Sequence, residues 1–166
     1  MGIQAARTQS PSSINTYKQC PRRYYYTYVA KLPTKPNVHT IRGSIVHSVL
    51  EDFFDFELEH EHMAGDMLLG HALGLFEKHW KAKKDEFDKI EVSKPDQEYY
   101  YQDSKTMIIK WVSFLIHRLR NLADNDGVIE TFNRLKPIRE QRYVSDEYSV
   151  MGYIDAIEKY KGKTRV

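Results

Sequence analysis

The spacing of apolar residues predicts helices over most of the chain as far as Leu122. Apolar side chains recur there at three- and four-residue steps, and this spacing places them along one face of an α-helix. We predict one helix from Gly43 to about Leu58, a second over about residues 66–84 and a third over about residues 97–122. Each would bury its apolar face, so this part of the chain predicts a helical core.

After Pro137 the pattern becomes alternating, which is typical of strands. Residues 140–144 and 148–157 are predicted as two strands, and residues 164–166 as the beginning of a third. A meander that stops there leaves an unpaired edge, which favours a chain that continues beyond this sequence. We therefore expect one α+β domain over residues 1–166, with a helix-rich N-terminal part followed by the first antiparallel strands of a sheet.

The first 42 residues carry seven Lys or Arg residues and no Asp or Glu. Residues 43–103 sum to −9 and residues 104–166 to +4, which together give the net charge of +2. Basic side chains neutralise phosphates and tyrosine rings stack on unpaired bases, so Tyr17, Tyr24 and their basic neighbours suit a polyanion. A solvated basic face with half-buried tyrosines explains the same composition equally well.

Within this basic segment we predict a short helix with Ser12 or Ser13 as its N-cap, because a serine hydroxyl accepts from the first turn of a helix. Pro21 allows a second helix to begin at Arg22.

Three features argue against a secreted or membrane protein. The longest apolar stretch, residues 107–122, is interrupted by Lys, His and Arg, and no run approaches the roughly 20 residues that span a bilayer. The N-terminus lacks the apolar core of a signal peptide. The one cysteine, Cys20, cannot form an internal disulfide, and such a residue is most often buried as a small hydrophobe. We expect a cytoplasmic protein without a membrane partner.

His47 and Glu51 are candidate ligands because residues four apart on a helix face the same point in space. His47 lies among apolar residues, which predicts that it points inward, and Gly43 at the expected helix start would leave room for a backbone or phosphate. A His four residues from a Glu is also commonly just a local hydrogen bond.

Asp155 stands in the middle of a predicted strand, where an Asp is unfavourable and costly to bury without a partner. A metal ion, a Lys or Arg partner, or a turn would each explain it, and an ion pair with an Arg accounts for it as well as all the others together. The run Glu59–His62 is better interpreted as a solvated helix end. The chain contains no GxxxxGK[ST], GxGxxG, GxSxG, HExxH or CxxC motif.

Three segments, in this order, resemble one family. Residues 13–25 (SINTYKQCPRRYY) resemble the opening motif of RecB-like nucleases of the PD-(D/E)XK superfamily, which include the CRISPR-associated RecB-type exonucleases. Residues 43–51 (GSIVHSVLE) are similar to the family's GxxxHxxLE helix, and Glu140 followed by residues 152–155 (GYID) to its first catalytic strand pair. The resemblance implies a restriction-endonuclease-like core with a central mixed sheet, incomplete at its C-terminus, and a helical insertion over about residues 60–130.

The resemblance also implies a catalytic site. His47 and Asp155 would be catalytic and would bind Mg²⁺ or Mn²⁺, with Gly43, Glu51 and Glu140 in support. Carboxylates suit hard divalent ions, and an imidazole ligand shifts the preference toward Mn²⁺. Some relatives hold a [4Fe–4S] cluster, for which Cys20 matches the first ligand and the other three cysteines are not in this sequence. The basic segment would guide DNA, and its candidate contacts are Tyr17, Lys18, Arg22, Arg23, Tyr24 and Arg42.

The sequence therefore supports three functional hypotheses. The first is a metal-dependent DNA nuclease, or its N-terminal part, acting as an exonuclease on ends or single strands with a protein partner in repair, recombination or CRISPR adaptation. The second is a nucleic-acid-binding module that keeps the fold without cutting, because no (D/E)xK follows Asp155 on the third predicted strand. The third is a helical protein-interaction domain.

Overall fold

The computed structural model describes residues 7–33, 36–123, 127–160 and 162–166. The helices of the described residues are α1 (Pro11–Gln19), α2 (Pro21–Tyr24), α3 (Val38–Phe53), α4 (Ala64–Ala82), α5 (Lys84–Asp88), α6 (Lys94–Leu122) and α7 (Gly127–Leu135). A π-helical turn (Tyr25–Val29) follows α2, and a 3₁₀ turn (Glu61–Met63) precedes α4.

The strands are β1 (Ile138–Ser145), β2 (Val150–Tyr160) and β3 (Lys163–Arg165), and they form one sheet in that order. β1 and β2 are antiparallel, with Ile138 opposite Ile157 and Ser145 opposite Val150. The expected α+β arrangement, helices first and strands after, is confirmed.

The chain forms two compact units. The strand unit is drawn from Met1–Lys35, Ile138–Glu158 and Thr164–Val166, and the helical unit from Pro36–Pro137 and Lys159–Lys163.

The core of the helical unit is built on one stripe of α3. Ile41, Ile45, Val49 and Phe53 recur every four residues and are all buried. They share one hydrophobic cluster with buried residues of α4 and α6, and α3 packs against both of these helices. The ring of Phe53 meets the ring of Trp111 edge to face, with the centroids 4.9 Å apart. This packing fixes which side of α3 is left at the surface.

The helix that carries this stripe begins at Val38 rather than at Gly43. The side chain of Asn37 caps it by accepting from the backbone N–H of Thr40 at 3.0 Å. Val38 and Ile41 are buried, so the apolar stripe extends one and a half turns before Gly43. Gly43 therefore lies inside the helix, and the prediction that it marks the helix start is wrong.

Helix α7 was missed by the sequence analysis. Its buried residues Phe132 and Leu135 belong to the same core. Its first turn is held by Glu61, whose carboxylate accepts from the backbone N–H of Val128 at 2.7 Å. Gly127 has a φ of +81°, which strains any residue with a side chain, and a Cβ there would lie 2.6 Å from the Glu61 carboxylate and displace it.

In the strand unit the residues before α1 pair with β2. The backbone N–H of Gln9 donates to the carbonyl of Ser149, and the N–H of Met151 donates to the carbonyl of Gln9, both at 2.8 Å. The N-cap of α1 is Ser10, which forms a capping box with the buried Ser13. The prediction of Ser12 or Ser13 as N-cap is wrong because Ser13 occupies the reciprocal position of that box.

The π-helical turn lies within the basic, tyrosine-rich segment. Its hydrogen bond spans five residues, from the N–H of Ala30 to the carbonyl of Tyr25 at 2.8 Å. The tyrosine rings before and within it contact one another: Tyr17 meets Tyr24 at 5.4 Å between centroids, and Tyr24 meets Tyr28 at 5.3 Å.

None of the described helices combines the length and the apolar character that a membrane crossing needs.

We predict that His71 makes the stability of the protein fall in mild acid. Its ring stacks on Phe56 at 4.4 Å, and its buried Nε2 has no hydrogen-bond partner among the described residues. Burial lowers the pKa of His71 from 6.5, although a hydrogen bond with the Phe53 backbone and the charges of Asp52 and Asp55 oppose this shift. As the pH falls through 6.5, the unfolded chain takes up a proton that the folded chain resists, so the free energy of unfolding decreases.

Urea unfolding at pH 7.5 and pH 5 measures this effect, with a His71→Leu variant as the control. The decrease in unfolding free energy between the two pH values should be smaller in the variant than in the wild type. An equal decrease in both proteins would show that other groups cause it.

Candidate functional site

The first pair of candidate ligands lies on the surface of α3. His47 and Glu51 are one helical turn apart, and a ring nitrogen of His47 lies within 4.8 Å of a carboxylate oxygen of Glu51. Opposite ligands of one Mg²⁺ are separated by about 4.2 Å, because each bond is about 2.1 Å long. The two side chains are therefore close enough for a small adjustment to bring both to one ion.

His47 is exposed, so the prediction that it points inward is wrong. The buried stripe of α3 includes Ile45 and Val49, each two residues from His47. Two residues correspond to about 200° around a helix, which places His47 on the opposite side from the core. The apolar neighbours of His47 in the sequence belong to that stripe or to a pocket beside it.

That pocket is open, has a volume of about 380 Å³ and lies in the helical unit. Its lining combines two histidines, an arginine and apolar side chains of α3 and α6: His39, Arg42, Gly43, Val46, His47, Leu50 and Met107. A candidate metal ligand thus forms part of the wall of a pocket large enough for an organic group.

Arg42, a predicted DNA contact, is held at this pocket by other groups. Its guanidinium forms an ion pair with Asp103, its Nε donates to Ser104 Oγ at 3.1 Å, and it lies over the ring of Tyr100 at 5.4 Å. These contacts orient the guanidinium and offset its charge. A role of Arg42 in binding DNA stays a prediction.

The second pair of candidate ligands lies in the strand unit. The β1–β2 register places Glu140 opposite Asp155, between the pairs Arg139–Ala156 and Gln141–Ile154, but the ladder skips this position. The skip has a backbone cause, because Glu140 has a φ of +48°, a left-handed conformation that a glutamate rarely adopts. Two acidic residues therefore occupy opposite backbone positions on neighbouring strands, where like charges are unfavourable.

Asp155 is exposed, so the cost of burying an unpaired carboxylate does not arise at this position. Residues two apart on a strand share a face, so Asp155 lies on the same face as the exposed Tyr153 and the buried Ile157, and the cover over this face begins only beyond Asp155. What remains unfavourable is the low preference of Asp for a strand interior and the strained backbone of Glu140 at the opposite position.

The donor atoms of both pairs fit a hard divalent ion. Three carboxylates and one imidazole are the ligand types that Mg²⁺ and Mn²⁺ accept, and none of them is a thiolate. In contrast, the residues of the Glu59–His62 run are all exposed. Among the described residues they are not part of a cluster of three ligand atoms close enough to share a metal ion. Glu61 instead holds the start of α7.

The predicted DNA contacts of the basic segment divide into two groups. Tyr17, Lys18, Arg22 and Arg23 are exposed. Tyr24 is half-buried and its hydroxyl donates to Gln9 at 3.0 Å, so it has a structural role in the segment.

Within the same segment, hydrogen bonds with Ser12 and Thr16 lower the pKa of Tyr28 and outweigh the opposing effect of desolvation. The nearby charges of Arg7 and Arg23 lower it further by smaller amounts.

Cys20 is exposed, and the expectation of a buried cysteine is wrong. It is the N-cap of α2, and its Sγ accepts from the backbone N–H of Arg23 at 3.4 Å. This capping position explains why the side chain stays at the surface. The role of Cys20 as an iron–sulfur ligand stays a prediction.

Two further residues with suitable chemistry escaped the sequence analysis. The register pairs Arg142 with Tyr153. These two residues lie two positions along their strands from Glu140 and Asp155, and therefore on the same face of the sheet. Tyr153 is 56% exposed, and Arg142 is also exposed. The strand register places the guanidinium of Arg142 and the ring of Tyr153 next to the two acidic positions in the sheet. The sequence pattern did not specify this register.

A comparison with known families identifies the chain. The family model of the PD-(D/E)XK nuclease superfamily matches residues 8–166. The chain therefore belongs to the PD-(D/E)XK nuclease superfamily, whose members are metal-dependent nucleases that act on nucleic acid. No curated protein and no solved structure matches the chain. The resemblance to the superfamily is confirmed, whereas the RecB-like branch stays a prediction.

We predict that Glu140 is retained at a cost in stability. Glycine adopts a positive φ without strain, whereas alanine does not, so Glu140→Gly should be more stable than Glu140→Ala by about 1 kcal/mol. Both variants remove the carboxylate, and both should bind Mn²⁺ more weakly than the wild type. Urea unfolding measures the first difference and calorimetric titration the second.

The matched control is the same pair of substitutions at Gln141, the exposed neighbour, for which no positive φ was found. There alanine should be the more stable residue. If Glu140→Ala equals Glu140→Gly in stability, the backbone at this position is not strained.

Proposed function

We propose that this chain is a RecB-like, metal-dependent DNA nuclease domain, with His47 and Asp155 as catalytic metal ligands. The match to the superfamily over residues 8–166 carries the proposal, because it includes both the GxxxHxxLE helix and the strand with Asp155. The ligand spacing of His47 and Glu51 supports it, as does the placement of Glu140 opposite Asp155.

Each proposed residue has a defined task. His47 offers an imidazole nitrogen and Glu51 a carboxylate from a helix that is held rigidly by its buried stripe. Asp155 and Glu140 offer carboxylates from paired strands. When bound, a divalent ion would polarise the scissile phosphate and lower the pKa of an attacking water. The exposed basic residues of α1 and α2 would hold the phosphates of the strand.

A second function competes with this one for a specific reason. Residues 156–166 contain Glu158, Lys159, Lys161 and Lys163, but no acidic residue is followed at the second position by a lysine on β3. The superfamily's second acid and lysine are thus not supplied by these residues. A nucleic-acid-binding module with the same fold needs neither of them, and its DNA path would be the same.

Finer features of the function are proposed from the resemblance. They are exonuclease action on ends or single strands, the helical insertion over about residues 60–130, and a part in repair, recombination or CRISPR adaptation. A [4Fe–4S] cluster with Cys20 as one ligand belongs to the same group.

We predict Mn²⁺-dependent cleavage of single-stranded DNA by this chain. His47→Ala and Asp155→Asn should each reduce the rate at least about 100-fold, because each removes a ligand of the ion. A gel assay of an end-labelled oligonucleotide with Mn²⁺, Mg²⁺ or EDTA measures this activity. His117→Ala is the matched control, since His117 is an exposed histidine of α6 and should be dispensable.

The results separate the two functions. Binding of DNA without cleavage by the wild type would support the binding module and contradict the nuclease. Equal cleavage by the wild type and by both ligand variants would contradict the proposed ligands.

We also predict that Arg22 and Arg23 together form part of the DNA path. Replacing both with Ala should weaken binding of single-stranded DNA and lower the slope of log K against log salt by about 1.4, because about 0.7 is lost for each phosphate contact. Fluorescence anisotropy from 50 to 200 mM salt measures both quantities. Lys81→Ala with Lys84→Ala, two exposed cations of the helical unit, is the control and should leave the slope unchanged.

A further inference from the structure

Gly43, which lies inside α3, leaves open space beside the helix that none of the described residues fills. Glycine in a helix interior is less stable than alanine, so its presence there needs a reason. A Cβ added at Gly43 would meet no described atom within 4 Å apart from its chain neighbours and the backbone of its own helix, so the space directly over this residue is open. Gly70 and Gly74 of α4 are equally open, but only Gly43 lines the pocket beside His47.

The pocket combines surfaces that suit two parts of one ligand. Val46, Leu50 and Met107 offer apolar contact, whereas His39 and Arg42 offer ring and guanidinium edges. Its volume of about 380 Å³ lies in the lower part of the range of small-molecule sites, about 300–1,000 Å³. A nucleobase with its sugar fits within this volume and has the same division into apolar faces and polar edges.

Arg42 is prepared to contact such a ligand. Its Nε donates to Ser104 and its Nη2 to Asp103 and Met107 Sδ, whereas no described residue accepts from Nη1. The bonds to Asp103 and Ser104 fix the plane of the guanidinium, so little side-chain entropy remains to be lost on binding.

We propose that the pocket over Gly43 holds one unstacked nucleobase of the bound nucleic-acid strand. The inference rests on the proposed function, because it is the nucleic-acid substrate that brings a base to the wall that contains His47. The base would lie against Val46, Leu50 and Met107 in the space over Gly43, with the guanidinium of Arg42 at its edge. Holding the base there would position the adjoining phosphate near His47.

Methyl NMR of the whole chain tests the proposal in EDTA, where neither cleavage nor metal binding contributes. The reporter is the Met107 methyl group, and the probes are a dT12 strand and a 12-unit abasic strand with the same phosphates. We expect dT12 to shift the Met107 signal and the abasic strand to leave it in place. Gly43→Leu, which fills the pocket, should abolish the shift and weaken dT12 binding about fivefold or more.

Gly74→Leu is the matched control, because it places the same side chain at an open glycine of another helix, and it should behave as the wild type. Gly43→Ala should stay folded and be more stable than the wild type, which separates loss of the pocket from loss of the fold.

An unmoved Met107 signal with dT12, an equal shift with both strands, or unchanged dT12 affinity in Gly43→Leu would each overturn the inference. These outcomes are independent of cleavage. A chain that cleaves DNA with Mn²⁺ and keeps Met107 unmoved retains the proposed function and loses the base pocket. A chain that does not cleave DNA but shows the base-dependent shift loses the nuclease function and retains the base pocket.

Discussion

The burial of four apolar residues on α3 determines where chemistry can occur on this helix. Because Ile41, Ile45, Val49 and Phe53 are spaced by four residues, they commit one narrow stripe to the core with α4 and α6. The opposite side is left for His47, and the flank for Gly43 and the pocket. Burying a large apolar side chain is worth about 1.5–3 kcal/mol, so four of them hold the orientation of the helix firmly. The apolar packing of α3 therefore fixes the direction in which its surface side chains, including His47, project.

The strand unit shows the opposite relation between stability and chemistry. Glu140 combines a left-handed backbone with a place opposite another acidic residue, Asp155, at the position that the ladder skips. The strained backbone and the second negative charge both cost free energy. Glycine would adopt this backbone with less strain. The position instead holds a residue that offers an oxygen ligand, and backbone strain of this kind is typical of functional sites.

Much of the fold was predictable from the sequence, since the long helices and the strands follow from periodicity. The predicted helix over residues 97–122 is α6, and the predicted strands correspond to β1 and β2. Helix α7 was missed because it is short and its start depends on a distant carboxylate, Glu61. Periodicity also misplaced His47, because it showed apolar neighbours without showing which of them form the buried stripe.

The residue types of the candidate site were readable from the motifs, whereas their surroundings were not. The backbone of Glu140, the exposure of Asp155 and the pairing of Arg142 with Tyr153 all depend on strand register. Register follows from contacts across strands, which one sequence does not specify. Whether His47 and Asp155 bind the metal stays a prediction.

The π-helical turn has a consequence for how the length of this chain can vary. A turn that spans five residues contains one residue more than an α-helical turn, and its hydrogen bond from Ala30 to Tyr25 closes around that extra residue. Deleting one residue there would let the backbone close as an ordinary α-helix and would turn the residues that directly follow by about 100° around the axis of α2. A single-residue insertion or deletion at Tyr25–Val29 would therefore redirect the tyrosines of this turn, so a change of length alone alters the aromatic surface.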